Sequence, residues 1–362
     1  RWFNAEAQYA LDLAGECRRQ GHSVCYYTQS GSPVAAEAEA RKIRTFEESG
    51  FNAKGVAGIL GVFPAITRLA KILRGGRIDV VEVFRPEGFV VIALVCRFMN
   101  IPVVRVRGDM RPVRQDILNR LLHKKVASGV VASNTAIASE LQQRLGPMPL
   151  LKTIHGGVDA GVFRPDGPVR DIRSEMQFPA DAFLVGILGR LGERKGHGDL
   201  VAAAEKLLTA GTRAYFVILA KERSPAADAL RKSIGATPGL GSHFGFLDFQ
   251  EDLPDVLRSF DLGVVASTGS EANCRVGLEW MASGVPLVGT RIGVLPDLID
   301  VGRTGFLVPP RAPEKLTDRI GYLAENRAVA RQMGLQARQR VLAHFTIEGC
   351  AAKHLDLIRK FV

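Results

Sequence analysis

The chain has 362 residues, 46% hydrophobic and 23% charged, and carries a formal net charge of +11. That length exceeds one ordinary core and suits two domains, and the composition is that of a globular protein rather than a disordered or fibrous one. Five scattered cysteines, Cys17, Cys25, Cys96, Cys274 and Cys350, describe neither a disulfide framework nor a zinc site, and the longest apolar run, Phe89 to Cys96, is too short to span a bilayer.

The cysteine usage points to a reducing compartment. No signal peptide is visible, and the chain opens at Arg1 rather than Met. The charge is uneven. Residues 1–165 hold 23 Lys and Arg against 14 Asp and Glu, a net of +9, whereas residues 166–362 hold 25 against 23, a net of +2. A basic first half suits anionic lipid head groups, a phosphorylated acceptor or nucleic acid. Nucleic acid is the weakest of these, because no basic stripe interleaved with aromatics is present.

In chain order, the pattern predicts a helix from about Ala5 to Arg19, closed by Gly21-His22, and a strand from Ser23 to Tyr27. Pro33 and Pro64 read as breaks around helical stretches at Ala35 to Arg41 and Ala65 to Leu73. A strand over Ile78 to Phe84, a helix over Phe89 to Met99 and a strand over Ile101 to Val106 then alternate, which argues for a parallel sheet. A strand from Val126 to Ala132 leads into a helix capped by Ser133. Gly167 and Pro168 mark a second domain, with strands at Leu184 to Leu188, Ala214 to Ala220 and Leu262 to Ala266. A doubly wound domain is expected to begin with a strand ahead of the first helix, and no strand pattern precedes Ala5 in this sequence.

Ligands of open α/β sheets bind beyond the carboxyl ends of strands. Two such places stand out in the sequence. Arg105-Val-Arg-Gly-Asp-Met-Arg-Pro112 gathers Arg105, Arg107 and Arg111 around Asp109. It is either a structural arginine–aspartate cluster or a site where guanidinium forks take phosphates or carboxylates while Asp109 orients a hydroxyl. Gly189-Arg-Leu-Gly-Glu-Arg-Lys-Gly-His-Gly198 is a Gly-rich loop with fixed cations before a helix at Asp199 to Ala210, suited to cradling a pyrophosphate on backbone and on Arg190 and Lys195. It is neither a Walker loop nor the dinucleotide fingerprint.

The segment from Ser267 to Pro286 reads as loop, helix and turn, with the helix beginning near Ala272 and its N–H groups at Asn273, Cys274, Arg275 and Val276 offered to an anion. Glu271 falls at its start and Glu279 two turns later, roughly 12 Å away on an ideal helix. They cannot form one acid/base pair. They either grip two ends of an elongated ligand or serve, respectively, as a dipole-favoured acid and a solvated side chain.

Ser270-Glu271-x7-Glu279-x-Met-Ala-x-Gly-x-Pro286 resembles the nucleotide-sugar signature of the family 4 (group 1) retaining glycosyltransferases, including bacterial lipopolysaccharide and cell-envelope members. Gly189-Arg-Leu-x3-Lys-Gly196, His155-Gly-Gly-Val-Asp-x3-Phe-x-Pro165 and Gly245-Phe-Leu-Asp248 are similar to further family segments. The resemblance implies a GT-B fold: two Rossmann-like doubly wound α/β domains with a cleft between them. Residues 1–165, joined by a C-terminal helix at 350–362, would bind acceptor, and residues 166–349 would bind the nucleotide sugar.

It further implies that Gly189, Arg190 and Lys195 hold the diphosphate, that the backbone near Phe246 and Leu247 receives the base, that Glu271 contacts donor-sugar hydroxyls and that Glu279 holds the ribose. Asn4 stands where the family has glycine, and Asp109 where a His-Asp pair is common. Glu271, Arg190, Lys195 and Asp109 are thus the expected catalytic set, and Asn4, Arg105, Arg107, Asp109 and Arg111 the acceptor set.

The implied activity is retaining transfer of a hexose from a nucleotide sugar, UDP-sugar favoured, to an anionic envelope glycan or glycolipid. Arg275 replaces the usual run at its position and, with the other arginines, points to that acidic partner. No metal or cofactor is expected, since no Asp-x-Asp triplet is present. Nucleic acid is not an expected partner. The expected place is the cytoplasm or the inner face of the membrane, with peripheral contact through the basic domain. A sugar-nucleotide epimerase and a non-catalytic nucleotide-sugar-binding relative are the alternatives.

Overall fold

A computed structural model of the chain describes residues 5–48, 50, 56–148, 150–220, 225–248 and 252–362, with residues 56–61 described as backbone alone. The chain divides into two compact units, Arg1–Gly157 with Ile347–Val362, and Val158–Thr346. Pro165 thus lies inside the second unit: Val158 donates to Phe345 O at 2.9 Å, and both join the same apolar cluster.

In the first unit the elements are α1 (Ala5–Arg19), β1 (Cys25–Thr28), α2 (Pro33–Ala40), β2 (Arg44–Glu47), α3 (Val56–Gly75), β3 (Val81–Val83), α4 (Phe89–Phe98), β4 (Val103–Arg107), α5 (Ile117–Leu121), β5 (Gly129–Ala132), α6 (Thr135–Leu145) and β6 (Leu151–Thr153). Strands β3-β4-β5-β6 form one parallel sheet and β1-β2 a separate parallel pair. β4 and β5 are buried along their whole length; β5 accordingly reads as a short apolar run without alternation, whereas β4, Val-Val-Arg-Val-Arg, also takes Arg105 and Arg107 inside.

The second unit contains α7 (Ile172–Glu175), β7 (Phe183–Leu188), α8 (His197–Thr209), β8 (Ala214–Ala220), α9 (Pro225–Ala236), β9 (Phe244–Asp248), α10 (Leu253–Leu257), β10 (Leu262–Val265), α11 (Arg275–Ala282), β11 (Leu287–Thr290), α12 (Leu295–Leu298), β12 (Gly305–Val308), α13 (Pro313–Glu325) and α14 (Arg327–His344). Its sheet runs β12-β11-β10-β7-β8-β9, all parallel. The chain goes from β7 to one side and then returns at β10 to the other. The order therefore reverses between β7 and β10, the position at which open α/β sheets leave a crevice beyond their carboxyl ends.

Trp280 of α11 is fully buried across this sheet, edge-on to Phe260 with ring centroids 5.1 Å apart. A Cβ at Gly186 or Gly263 would come within 2.6 Å of its indole, so two central strands carry glycine where the ring lies.

The last helix, α15 (Ile347–Ile358), belongs to the first unit. It is tied to α1 and β3 through buried His354, whose Nε2 lies 2.8 Å from the Tyr9 hydroxyl and whose Nδ1 lies 2.7 Å from Glu82 Oε1. Tyr9 in turn donates to Ile154 O at 3.1 Å. An imidazole donating at both nitrogens is protonated. Burial alone would lower its pKa, but the Glu82 carboxylate and the adjacent Cys350 together outweigh that and raise it to about 10.

Two local expectations change, and one strand comes unannounced. Pro64 does not break its helix: it sits inside α3 with an exposed ring, while Ala65, Leu69 and Leu73 keep one buried stripe at i, i+4 and i+8. The cap of α6 is Asn134, whose Oδ1 accepts from Ile137 N at 2.8 Å, rather than Ser133. β2 carried no alternating signal strong enough to stand out; it exists because it pairs in register with β1.

Candidate functional site

The Gly-rich loop leaves β7 at Gly189, makes a 3-10 turn over Glu193–Lys195 and enters α8 through Gly196. Gly196 has φ 70°, and a Cβ there would lie 1.9 Å from Ala266 O, so only glycine lets this loop lie against the end of β10. Thr268 N donates to Arg194 O at 2.9 Å and Thr268 Oγ1 to Glu193 O at 3.3 Å, fastening the two loops along their backbones.

Glu271 lies where the loops meet. Its carboxylate is buried, pairs with Lys195 Nζ and accepts from Ser267 Oγ on the same oxygen, Oε1. Its carbonyl accepts from Val294 N at 2.8 Å, and the Ser267 carbonyl accepts from Thr290 Oγ1 at 2.6 Å. Sequence distance separated these residues, and the switch between β7 and β10 brings them together. Lys195 remains half-buried and Arg190 exposed beyond β7, so two cations border the same loop.

The helix start differs from the expected one. Cys274 has φ 30° and ψ 58°, a left-handed conformation that ends any helical run before it, so α11 begins at Arg275 rather than near Ala272. Glu271 consequently sits in the loop and not on the helix. Asn273 and Cys274 are buried in that loop, with Asn273 Oδ1 lacking a hydrogen-bond partner, while Arg275 and Val276 supply the first turn. Arg275 Nε reaches Glu279 Oε1 at 2.6 Å, one helical turn away. Glu279 is therefore a buried, paired carboxylate and not a solvated one. Phe246 and Leu247 lie on β9, an edge strand of the sheet, with Leu247 buried and Arg231 over the Phe246 ring at 4.5 Å.

His197, at the start of α8, is a site neighbour that the sequence reading passed over. Burial holds its imidazole neutral, with the pKa lowered to about 4. Ser267 and Thr290 were also missed; a hydroxyl four residues before Glu271 is the local signal for Ser267, and Thr290, nineteen residues after Glu271, has none.

In the first unit the arginines divide. Arg105 is buried and donates through Nη1 to the carbonyls of Val83, Phe84 and Val106 at 2.6 to 2.7 Å, with its guanidinium over the Phe89 ring; burial, then Arg107, lowers its pKa to about 10. It holds strand ends together. Arg107, also buried, donates to Arg111 O at 2.7 Å and Asp109 O at 3.4 Å, fixing the shape of the loop.

The ion pair belongs to Arg111 and Asp109: Nε and Nη2 both approach Oδ2 at 2.5 Å, and Arg111 N donates to Oδ1 at 2.9 Å. Burial opposes the charge on Asp109, but these bonds outweigh it and hold its pKa below the usual carboxylate range. Arg111 is largely exposed and is the guanidinium of the three that solvent reaches. Glu6, in the first turn of α1, is a buried carboxylate whose Oε1 has no partner; burial raises its pKa against the pull of Arg105 and Arg85. Asn4 lies outside the described residues.

Among the described residues no group of His, Cys, Asp or Glu is placed to hold a metal ion, and no helix is long and apolar enough to cross a membrane.

Known proteins resemble this arrangement over most of its length. The family described as Glycosyltransferase Family 4 matches residues 7–162, and that described as Glycosyl transferases group 1 matches residues 182–326. A GDP-mannose-dependent alpha-(1-6)-phosphatidylinositol monomannoside mannosyltransferase of Mycobacterium tuberculosis is 29% identical over 263 residues, covering 70% of this chain and 67% of its own. A D-inositol 3-phosphate glycosyltransferase of a Nocardioides species is 25% identical, covering 97% and 84%. The crystal structure of a glycosyltransferase from Rickettsia africae superposes with a TM-score of 0.85 at 20% identity, covering 98% and 94%.

Proposed function

Because the chain belongs to the group 1, family 4 glycosyltransferases with Rossmann-like domains of GT-B type, we propose that it moves a hexose from a nucleotide diphosphate sugar to a hydroxyl of an anionic glycan or glycolipid, with retention of configuration. The observation that carries the reading is the Lys195–Glu271 pair, held where the Gly-rich loop meets the loop before α11.

A nucleotide sugar brings its own leaving group, so the protein must hold the diphosphate, stabilise the charge that develops on it and align an acceptor. Arg190, Lys195 and the first-turn N–H groups of α11 have the charge and direction for the first two tasks without a metal ion. Glu271, already accepting from Ser267 and Lys195, is an acceptor for sugar hydroxyls. Glu279, shielded beside Arg275, is one for a ribose, and the edge of β9 offers backbone to the base.

A UDP-sugar is one donor; the GDP-mannose dependence in the mycobacterial relative's name supports a GDP-sugar as the other. The names of both curated relatives carry phosphorylated inositol acceptors, which agrees with exposed Arg111 and the basic first unit taking an anionic acceptor such as a lipopolysaccharide core. Such an acceptor would be met at the inner face of the cytoplasmic membrane.

Calorimetric titration without metal, using UDP, GDP, ADP and their sugars on the parent and on Lys195→Ala, tests the reading. Micromolar binding of one nucleotide, weakened at least tenfold by the substitution, supports it; no binding of any nucleotide by the parent overturns it.

A further inference from the structure

Glu271 is fixed at both its backbone and its side chain. Its carbonyl accepts from Val294 N at 2.8 Å, and Gly293, with φ 55°, lies so close that a Cβ there would come within 2.0 Å of the same oxygen. Only glycine at that position lets the two segments meet. On the side chain, Lys195 Nζ and Ser267 Oγ both donate to Oε1, and Oε2 accepts from no described residue.

The two donors on Oε1 differ in kind. Lys195 is half-buried on a flexible stem and has three donors, of which a bound diphosphate would claim at least one. Ser267 is 1% exposed, two residues past the end of β10, and its carbonyl accepts from Thr290 Oγ1 at 2.6 Å. Thr290, equally buried, closes β11, the strand paired with β10. The sheet therefore sets the direction of Ser267, whereas a ligand can change that of Lys195. The Cys274 thiol lies near the same carboxylate but is no substitute: burial, then the Glu271 charge, push its pKa well above the ordinary value, and a neutral S–H is a weak donor.

We propose that Ser267, backed by Thr290, is a positioning residue of the donor site: by holding Oε1 it turns Oε2 toward the sugar of a nucleotide sugar. A carboxylate offers about four lone-pair positions, so those of Oε2 remain for hydroxyls of the ligand. The terminal torsion of a glutamate is broad and roughly two-fold, and an unheld carboxylate would swing with the Lys195 ammonium as it turned to a diphosphate. Ser267 removes that freedom before the ligand arrives, so the cost of ordering falls on folding and not on binding. The inference rests on the proposed transferase reading and adds to it two residues that act through Glu271 alone.

The test compares each nucleotide with its own sugar conjugate: UDP with UDP-glucose, GDP with GDP-mannose and ADP with ADP-glucose. Calorimetry is run on the parent, Ser267→Ala, Thr290→Val and Thr290→Ser. Ser267→Ala should bind the bare nucleotide within about twofold of the parent and the conjugate roughly tenfold more weakly, the worth of an oriented hydrogen bond to a charged group. Thr290→Val should shift the ratio of the two affinities in the same direction by less, and Thr290→Ser, which keeps the hydroxyl, should retain the parental ratio. A merely structural role would lower the thermal midpoint and weaken both ligands alike. That outcome, or a parental ratio in Ser267→Ala for every conjugate, overturns the proposal while the transferase reading stands. If Ser267→Ala does not fold, the two Thr290 variants carry the comparison, and a parental ratio in both overturns it. Failure of the parent to bind any nucleotide overturns the transferase reading and this proposal together.

Discussion

Replacing Gly196 by Ala tests whether the two loops really meet. The left-handed conformation at φ 70° costs an L residue roughly 1–2 kcal/mol. The added Cβ would also lie 1.9 Å from Ala266 O, a backbone atom at the end of a buried strand, and relieving that needs a shift of about 1 Å. Overpacking of this kind typically costs about 1–3 kcal/mol, so the sum is about 2–5 kcal/mol. For a unit of this size that corresponds to a fall of roughly 5–15 °C in thermal midpoint. The shift also draws Lys195, the preceding residue, away from Glu271. Losing one charge-assisted contact to a bound diphosphate weakens affinity about 10- to 100-fold. Differential scanning calorimetry and nucleotide titration read the two effects separately. Gly198→Ala is the control: it lies in α8 with nothing near its Cβ, and should stabilise by up to about 1 kcal/mol. A Gly196→Ala protein with the parent's midpoint and nucleotide affinity would refute the loop contact and the diphosphate role built on it.

Gly263→Ala places a methyl 2.6 Å from the Trp280 ring and should cost about 1–3 kcal/mol in urea unfolding, with Trp280→Phe in the same chain recovering part of that loss non-additively. His354 has a folded pKa raised to about 10, so its stabilisation is complete below pH 6.5 and is lost as pH rises toward 10, with an upper bound of about 5 kcal/mol. His354→Gln should remove that slope from the curve of stability against pH, and an unchanged slope would contradict the Tyr9–His354–Glu82 arrangement. His197 and His123, both lowered to about 4 by burial, act in the opposite direction: below pH 6.5 the unfolded chain takes protons that the folded one refuses, so stability falls between pH 6.5 and 4. His197→Asn should shallow the acid limb of the melting profile; an identical acid limb would rule this out.

Much of the molecule could be read from the chain alone, because the signals are local. Parallel strands buried on both faces, such as β7 and β10, must be unbroken apolar runs. The turn from β7 into α8 needs glycine and offers cations whatever surrounds it. The pattern Glu271-x7-Glu279 is likewise a matter of spacing. What the chain alone left open depended on which strands lie side by side. Lys195 and Glu271 are 76 residues apart and become an ion pair because the sheet order reverses between β7 and β10. Arg105 and Arg111 are the same residue type in one short segment, yet burial commits the first to three carbonyls and leaves the second to solvent. Helix α11 starts late because Cys274 turns left-handed, and Asn273 and Cys274, buried where the loop passes β10, carry no periodicity that would announce it. Periodicity reports which face of an element is buried; it carries no record of its neighbour, and the chemistry of Glu271, Glu279 and Arg105 is set by their neighbours.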